Sequence, residues 1–61
     1  MLECVEESPM LHMFKLGERY QCSVVNGKIL VHQGVFQMEV SNISLGYWKN
    51  NKESAIFREV A

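Results

Sequence analysis

Cysteine and histidine are the residues of this chain best suited to act as nucleophiles, bases or metal ligands. The sequence holds two of each, namely Cys4, Cys22, His12 and His32. A metal site needs three or four converging ligands, and the long intervals between these residues match no short chelating motif. Cys22 and His32 could form a nucleophile–base pair, but the hairpin derived below directs them to opposite faces of one sheet. We therefore predict no catalytic residue, no metal site, no cofactor and no enzymatic activity.

An aromatic and basic stretch from Tyr47 to Lys52 is the best candidate for a recognition surface. If Tyr47 faces the core, Trp48 faces outward, because neighbouring residues of a strand alternate between the two faces. An exposed tryptophan beside lysines can stack on a base or fill a pocket of a partner protein. In the alternative interpretation, Trp48 covers an open side of the fold and the lysines only solubilise a turn. The predicted partner-binding residues are Tyr47, Trp48, Lys49 and Lys52.

A β-hairpin centred on Asn26-Gly27 is the strongest structural prediction. Asn-Gly favours the two positive φ angles of a type I′ turn, whose twist matches that of paired strands. A two-residue turn places Val25 opposite Lys28 and fixes the register of the remaining pairs. The residues of the predicted core face are Tyr20, Cys22, Val24, Ile29 and Val31.

Further alternating runs extend this hairpin into a small all-β domain. Val35–Val40, Ile43–Trp48 and Ala55–Val60 read as strands, and Asn50-Asn51 marks a second hairpin turn. With an extended segment before Arg19, these runs predict a five-stranded antiparallel meander or an SH3-like or Sm-like barrel. An open antiparallel sheet with a helix on one face is the alternative. We assign residues 10–61 to this single domain.

The first nine residues are predicted to lie outside that domain. Residues 1–9 read as an N-terminal extension or a short helical turn, which Ser8-Pro9 would end because the residue before proline avoids the α region. Three glutamates occupy this segment, whereas all six basic residues of the chain follow it. From Ser8 onward six basic and four acidic residues give a balance of +2, too weak by itself to indicate nucleic-acid binding.

Size and cysteine usage indicate a cytoplasmic protein. The chain has 61 residues and a net charge of −1, and no segment resembles a signal peptide or a membrane span. Two cysteines are fewer than a secreted disulfide scaffold of this size usually holds, so we expect two free thiols. A Cys4–Cys22 disulfide is the alternative.

The order of the predicted elements loosely resembles that of Sm-like RNA-binding proteins. The resemblance runs from a short N-terminal helix through the Asn-Gly hairpin and Gly34 to Asn42-Ile43-Ser44-Leu45. The resemblance implies a small barrel and RNA binding. The acidic residue and the Arg-Gly or Lys-Gly signature of that family's motifs are absent here, so no functional residue is transferred.

Three functions fit these observations. The first is a small regulatory module that binds a protein partner, of the kind that phages and mobile elements encode to modulate a host protein. The second is a nucleic-acid-binding barrel that uses Trp48 and its neighbouring lysines. The third is a homodimer that covers the surplus apolar residues Val25 and Leu30 and the Met10–Leu16 run. The stretch Val35–Val40 has little charge and could pair with a partner strand if it forms an edge, the alternative being ordinary pairing within the domain.

Overall fold

The computed structural model describes residues 1–9 and 13–60, which form one antiparallel β-sheet. The prediction of an all-β protein is confirmed, but these described residues form seven strands rather than five. Most of the strands are short and are separated by tight turns. Their bounds are β1 Leu2–Glu6, β2 Arg19–Tyr20, β3 Cys22–Val25, β4 Lys28–Gln33, β5 Phe36–Ser44, β6 Tyr47–Asn50 and β7 Ile56–Glu59.

The sheet curls into a nearly closed barrel. Its strands lie in the order β2-β1-β7-β6-β5-β4-β3, so the two outermost strands follow each other in the sequence and are separated only by Gln21. The run from Arg19 to Val25, which alternates in sequence as one strand leading into the Asn26-Gly27 turn, is therefore bent, and its two halves pair with β1 and β4 respectively. The backbone N–H of His32 donates to the carbonyl of Gln21 at 2.8 Å, which holds the bend against β4.

The central hairpin has the predicted register. Asn26 and Gly27 adopt φ angles of 52° and 76°, the left-handed values that a type I′ turn requires. Val25 lies opposite Lys28, and the ladder continues to Cys22 opposite Val31. The short-range turn signal thus fixes the pairing of β3 and β4.

Residues 1–9 do not form the predicted helical turn. Leu2–Glu6 is a strand that lies between β7 and β2, next to one end of the sheet. Leu2 and Cys4 are buried, while Glu3 between them faces outward and contacts arginine side chains. This alternation is the period of a half-buried strand, and the pairing with β7 supplies the backbone partners that an isolated helical turn would lack.

Val35–Val40 lies largely in β5 as predicted, and it is not an edge open to a partner strand, because β5 pairs with β4 on one side and with β6 on the other. The prediction of one strand at Ile43–Trp48 is wrong, because a turn at Leu45-Gly46 separates β5 from β6. Gly46 adopts a φ of 79° in that turn, a conformation that glycine reaches without steric cost.

The core is small and aromatic at its centre. Phe14, in the segment between β1 and β2, is fully buried and packs edge to face on Tyr20 and Phe57. The predicted core positions Cys22 and Val24 are exposed; both belong to β3, which lies at one end of the strand order and, among the described residues, has a neighbouring strand only on the β4 side. Among the residues that the structure describes, the buried hydrophobic ones are Leu2, Cys4, Phe14, Val31, Val40, Ala55 and Phe57.

Candidate functional site

The structure separates the four residues that the sequence predicts as a partner-binding cluster. Tyr47 and Lys49 lie on the face of β6 that points away from the core, which we call the outer face. Trp48 lies between them on the opposite face. Lys52 is exposed in the turn that follows β6, at the end of the strand opposite to Tyr47. Only Tyr47 and Lys49 therefore share one surface.

Trp48 faces inward rather than outward. Its cross-strand partner is the buried Phe57, and its ring packs against the core. The indole N–H donates to Oε1 of Glu59 at 3.1 Å, which satisfies the polar edge of the half-buried ring. The prediction reversed the inward-facing and outward-facing residues because it treated Ile43–Trp48 as one strand. The turn and a register shift between Asn42 and Ser44 change which residues face inward.

Tyr47 begins a charged row that crosses the outer face. It lies opposite Arg58 on β7, which in turn lies opposite Glu3 on β1 and then Arg19 on β2. The carboxylate of Glu3 lies 3.3 Å from the guanidinium of Arg58 and 3.8 Å from that of Arg19. One acid thus holds two half-exposed arginines, and the row carries a net positive charge beside an aromatic ring.

The hairpin that joins β5 and β6 exposes three large apolar side chains. Leu45 is 98% exposed, Ile43 49% and Tyr47 37%. We call these three residues the apolar tip. Alternation along a single strand at Ile43–Trp48 would put all three side chains on one face, the core face if Tyr47 points inward, so the strand prediction missed this surface. Interpreting Leu45-Gly46 as a turn, as the glycine suggests, would have predicted this exposed surface.

Hydrogen bonds hold the apolar tip in one conformation. The side-chain amide of Asn42 donates to the carbonyls of Ser44 and Tyr47 at 2.8 and 3.0 Å. The backbone N–H of Glu59 donates to the carbonyl of Gly46 at 2.8 Å, which ties the turn to β7. A surface that is ordered before it meets a partner loses less conformational entropy when it binds.

The cysteine and histidine residues do not converge. Cys4 is buried, Cys22 is exposed, and both thiols are free. Burial raises the pKa of the Cys4 thiol. Within residues 1–9 and 13–60, no group of three potential metal-ligating side chains comes together. His12 lies outside the described residues.

His32 has a structural partner on the neighbouring strand. Its Nε2 lies 2.9 Å from the hydroxyl oxygen of Ser23, so the two side chains link β3 to β4 on the outer face. Cys22 pairs with Val31, the neighbour of His32, and so lies on the other face, as predicted. This geometry keeps the thiol of Cys22 away from the imidazole of His32.

The described part of the chain contains no helix of the length and hydrophobicity needed to cross a bilayer. The sequence matches no protein-family model, and neither curated proteins nor solved structures show a significant similarity to it.

Proposed function

We propose that this chain is a non-enzymatic protein-binding module and that the apolar tip is its contact surface. The observation that carries the proposal is the almost complete exposure of Leu45 between two further exposed apolar residues. Apolar groups clustered on the surface of a small protein are typical of interaction sites, because covering them removes apolar area from water.

The surroundings of the apolar tip support a protein partner. Tyr47 supplies a rigid amphipathic ring, and Arg58 lies directly opposite it on the next strand. Tyrosine and arginine are enriched among the residues that dominate binding energy in protein interfaces. The partner surface that we expect is therefore apolar at its centre, with hydrogen-bond acceptors at its rim.

The barrel offers a matched pair of variants for testing this surface. Leu45 and Val35 are both turn residues next to a glycine with positive φ, and both are over nine-tenths exposed, at 98% and 91%. They lie in turns at the two ends of β5. Leu45→Asp and Val35→Asp therefore introduce the same charge in similar settings, but only the first alters the apolar tip.

Affinity capture from a lysate of cells that express the protein tests the proposal. Wild type and Val35→Asp should enrich the same protein, whereas Leu45→Asp should lower its recovery by about tenfold, as expected for loss of a central apolar contact. Equal recovery with both variants, or no specific enrichment, would count against the proposed surface. Far-UV circular dichroism of each variant confirms that the fold is intact.

Nucleic-acid binding is the second candidate, and Tyr47, Lys49 and Arg58 on the outer face favour it. Trp48, the residue that first suggested it, lends less support because its ring packs inward and its N–H is bonded to a carboxylate. Binding to single-stranded DNA and RNA, measured across a salt series, separates the two functions. Contacts with phosphates weaken steeply as salt rises, whereas burial of apolar groups does not.

A further inference from the structure

Strand β3 is an open edge of the barrel. Among the described residues it pairs only with β4, and its other side meets no strand. The segment Cys22–Val25 holds no charged residue and no proline, and its four pairs with β4 run without a bulge. Charges, prolines and bulges are among the features with which proteins protect an edge from pairing. This edge has none of these three, and Val24 is 70% exposed.

The turn geometry determines which backbone groups of β3 are unpaired. In a two-residue hairpin the residues that flank the turn, here Val25 and Lys28, exchange hydrogen bonds, and bonded and non-bonded pairs then alternate. Gln21 falls in the bonded phase, as its carbonyl accepts from His32 at 2.8 Å. Cys22 and Val24 belong to the non-bonded pairs of the β3–β4 ladder, so their N–H and C=O groups point away from β4.

We propose that β3 pairs antiparallel with β3 of a second copy of this chain, with Ser23 of each copy on the two-fold axis. In this register Cys22 of one copy faces Val24 of the other, and each pair exchanges two hydrogen bonds. All four free N–H groups of the two copies are then satisfied within β3. If the two-fold axis passed through Cys22 or through Val24 instead, only the residue on the axis would form such a hydrogen-bonded pair with its own copy. The other residue would pair with a residue outside β3.

A second copy of the chain can supply the kind of strand that this edge would pair with, because that strand is β3 itself. It supplies an extended, uncharged strand with exposed residues at the two positions whose backbone groups are free. Cys22 and Val24 of both copies would lie on one face of the joined sheet and cover one another. The net charge of −1 gives little repulsion between copies. The contact is small for a stable interface, so we expect a dissociation constant on the order of 0.1–1 mM.

The test uses the full chain under reducing conditions, and the key variant is Val24→Pro. Proline at this position removes an N–H that β4 does not use, so the β3–β4 ladder keeps its hydrogen bonds. Val24→Thr is the matched control, because it keeps the N–H and the β-branched shape. Sedimentation equilibrium from micromolar to millimolar concentration should show reversible dimers for wild type and Val24→Thr. For Val24→Pro, the dissociation constant should rise about tenfold or more, since the dimer loses two of its four hydrogen bonds.

An isotope-filtered NOE experiment tests the register without any substitution. In a mixture of labelled and unlabelled wild-type chains, the Hα protons of Ser23 in the two copies should give an intermolecular NOE, because they form the close non-bonded pair on the axis. A monomer at millimolar concentration, or a dimer with intermolecular NOEs elsewhere, overturns the proposal. Leu45→Asp should leave the dimer unchanged, so this result is independent of the proposed function of the apolar tip.

Discussion

The rings of Phe14 and Phe57 meet edge to face, with their centroids 5.0 Å apart at interplanar angle 87°. Phe57 belongs to β7, but Phe14 lies in the irregular segment before β2 and reaches the core from outside the ladder. Hydrogen bonds position that segment, among them the one from the N–H of Lys15 to the hydroxyl of Tyr20 at 2.8 Å. Phe14 therefore fills the interior of the barrel from the segment between β1 and β2.

Phe14→Ala should destabilise the protein severely. Removing a fully buried phenylalanine typically costs about 3–5 kcal/mol, a large part of the stability of a chain this small. Urea unfolding followed by circular dichroism measures the loss, and Phe14→Leu should recover part of it. A loss below about 1 kcal/mol for the alanine variant would show that the segment does not plug the core.

Gly27→Ala should destabilise the hairpin through backbone conformation alone. A Cβ atom at Gly27 would meet no atom within 4 Å apart from those of Gly27 and its two chain neighbours, so contact with the rest of the fold contributes nothing to the cost. The φ of 76° lies in the left-handed region, where an L-residue costs roughly 1–2 kcal/mol. Thermal unfolding should show a lower midpoint for Gly27→Ala, whereas Asn26→Gly, which also accepts positive φ, should change it little. An unchanged midpoint for Gly27→Ala would contradict the assigned turn.

The two cysteines should differ in reactivity by orders of magnitude. Cys22 lies exposed on the edge strand, whereas Cys4 is buried and its thiol donates weakly to the carbonyl of Glu6 at 3.5 Å. Because burial also raises the pKa of Cys4, its reactive thiolate is less populated at any pH below that value. Labelling with a thiol reagent at pH 8 should modify one cysteine rapidly and the second only after denaturant is added. Cys22→Ser should abolish the rapid phase, and rapid labelling of that variant would refute the assigned burial of Cys4.

Trp48→Ala should lower stability, and not only binding to a partner. The ring packs against the core and its N–H is bonded to Glu59, so its removal should cost about 2 kcal/mol. Trp48→Phe keeps most of the apolar contact and should lose less. Chemical unfolding monitored by circular dichroism measures both variants, since neither retains the indole fluorescence. Full stability of the alanine variant would mean that Trp48 points outward after all.

Local turn chemistry predicted part of the fold well. Asn26-Gly27 determines both the presence and the register of the β3–β4 hairpin, because its backbone requirement is met within two residues. The strand at Leu2–Glu6 was missed although Leu2 and Cys4 alternate with Glu3. Five residues are too few for a periodic pattern to outweigh the nearby proline and the cluster of glutamates.

The candidate site was harder to predict, because it depends on a register shift. The irregularity between Asn42 and Ser44, followed by a turn, decides that Trp48 faces inward and Leu45 faces solvent. A single added residue reverses every side chain beyond it, and alternation alone cannot locate such a residue. The burial of Phe14 is likewise a tertiary contact, which no local pattern around an irregular segment specifies.

Site-specific photo-cross-linking tests the proposed contact surface most directly. A photoreactive phenylalanine analogue would replace Leu45 in one sample and Val35 in another, two turn positions that are each over nine-tenths exposed, at 98% and 91%. Irradiation in cells should yield a covalent adduct with one defined protein from position 45 and none from position 35. Adducts of equal yield from both positions, or adducts with nucleic acid instead of protein, would contradict the assignment of the apolar tip as a protein-binding site.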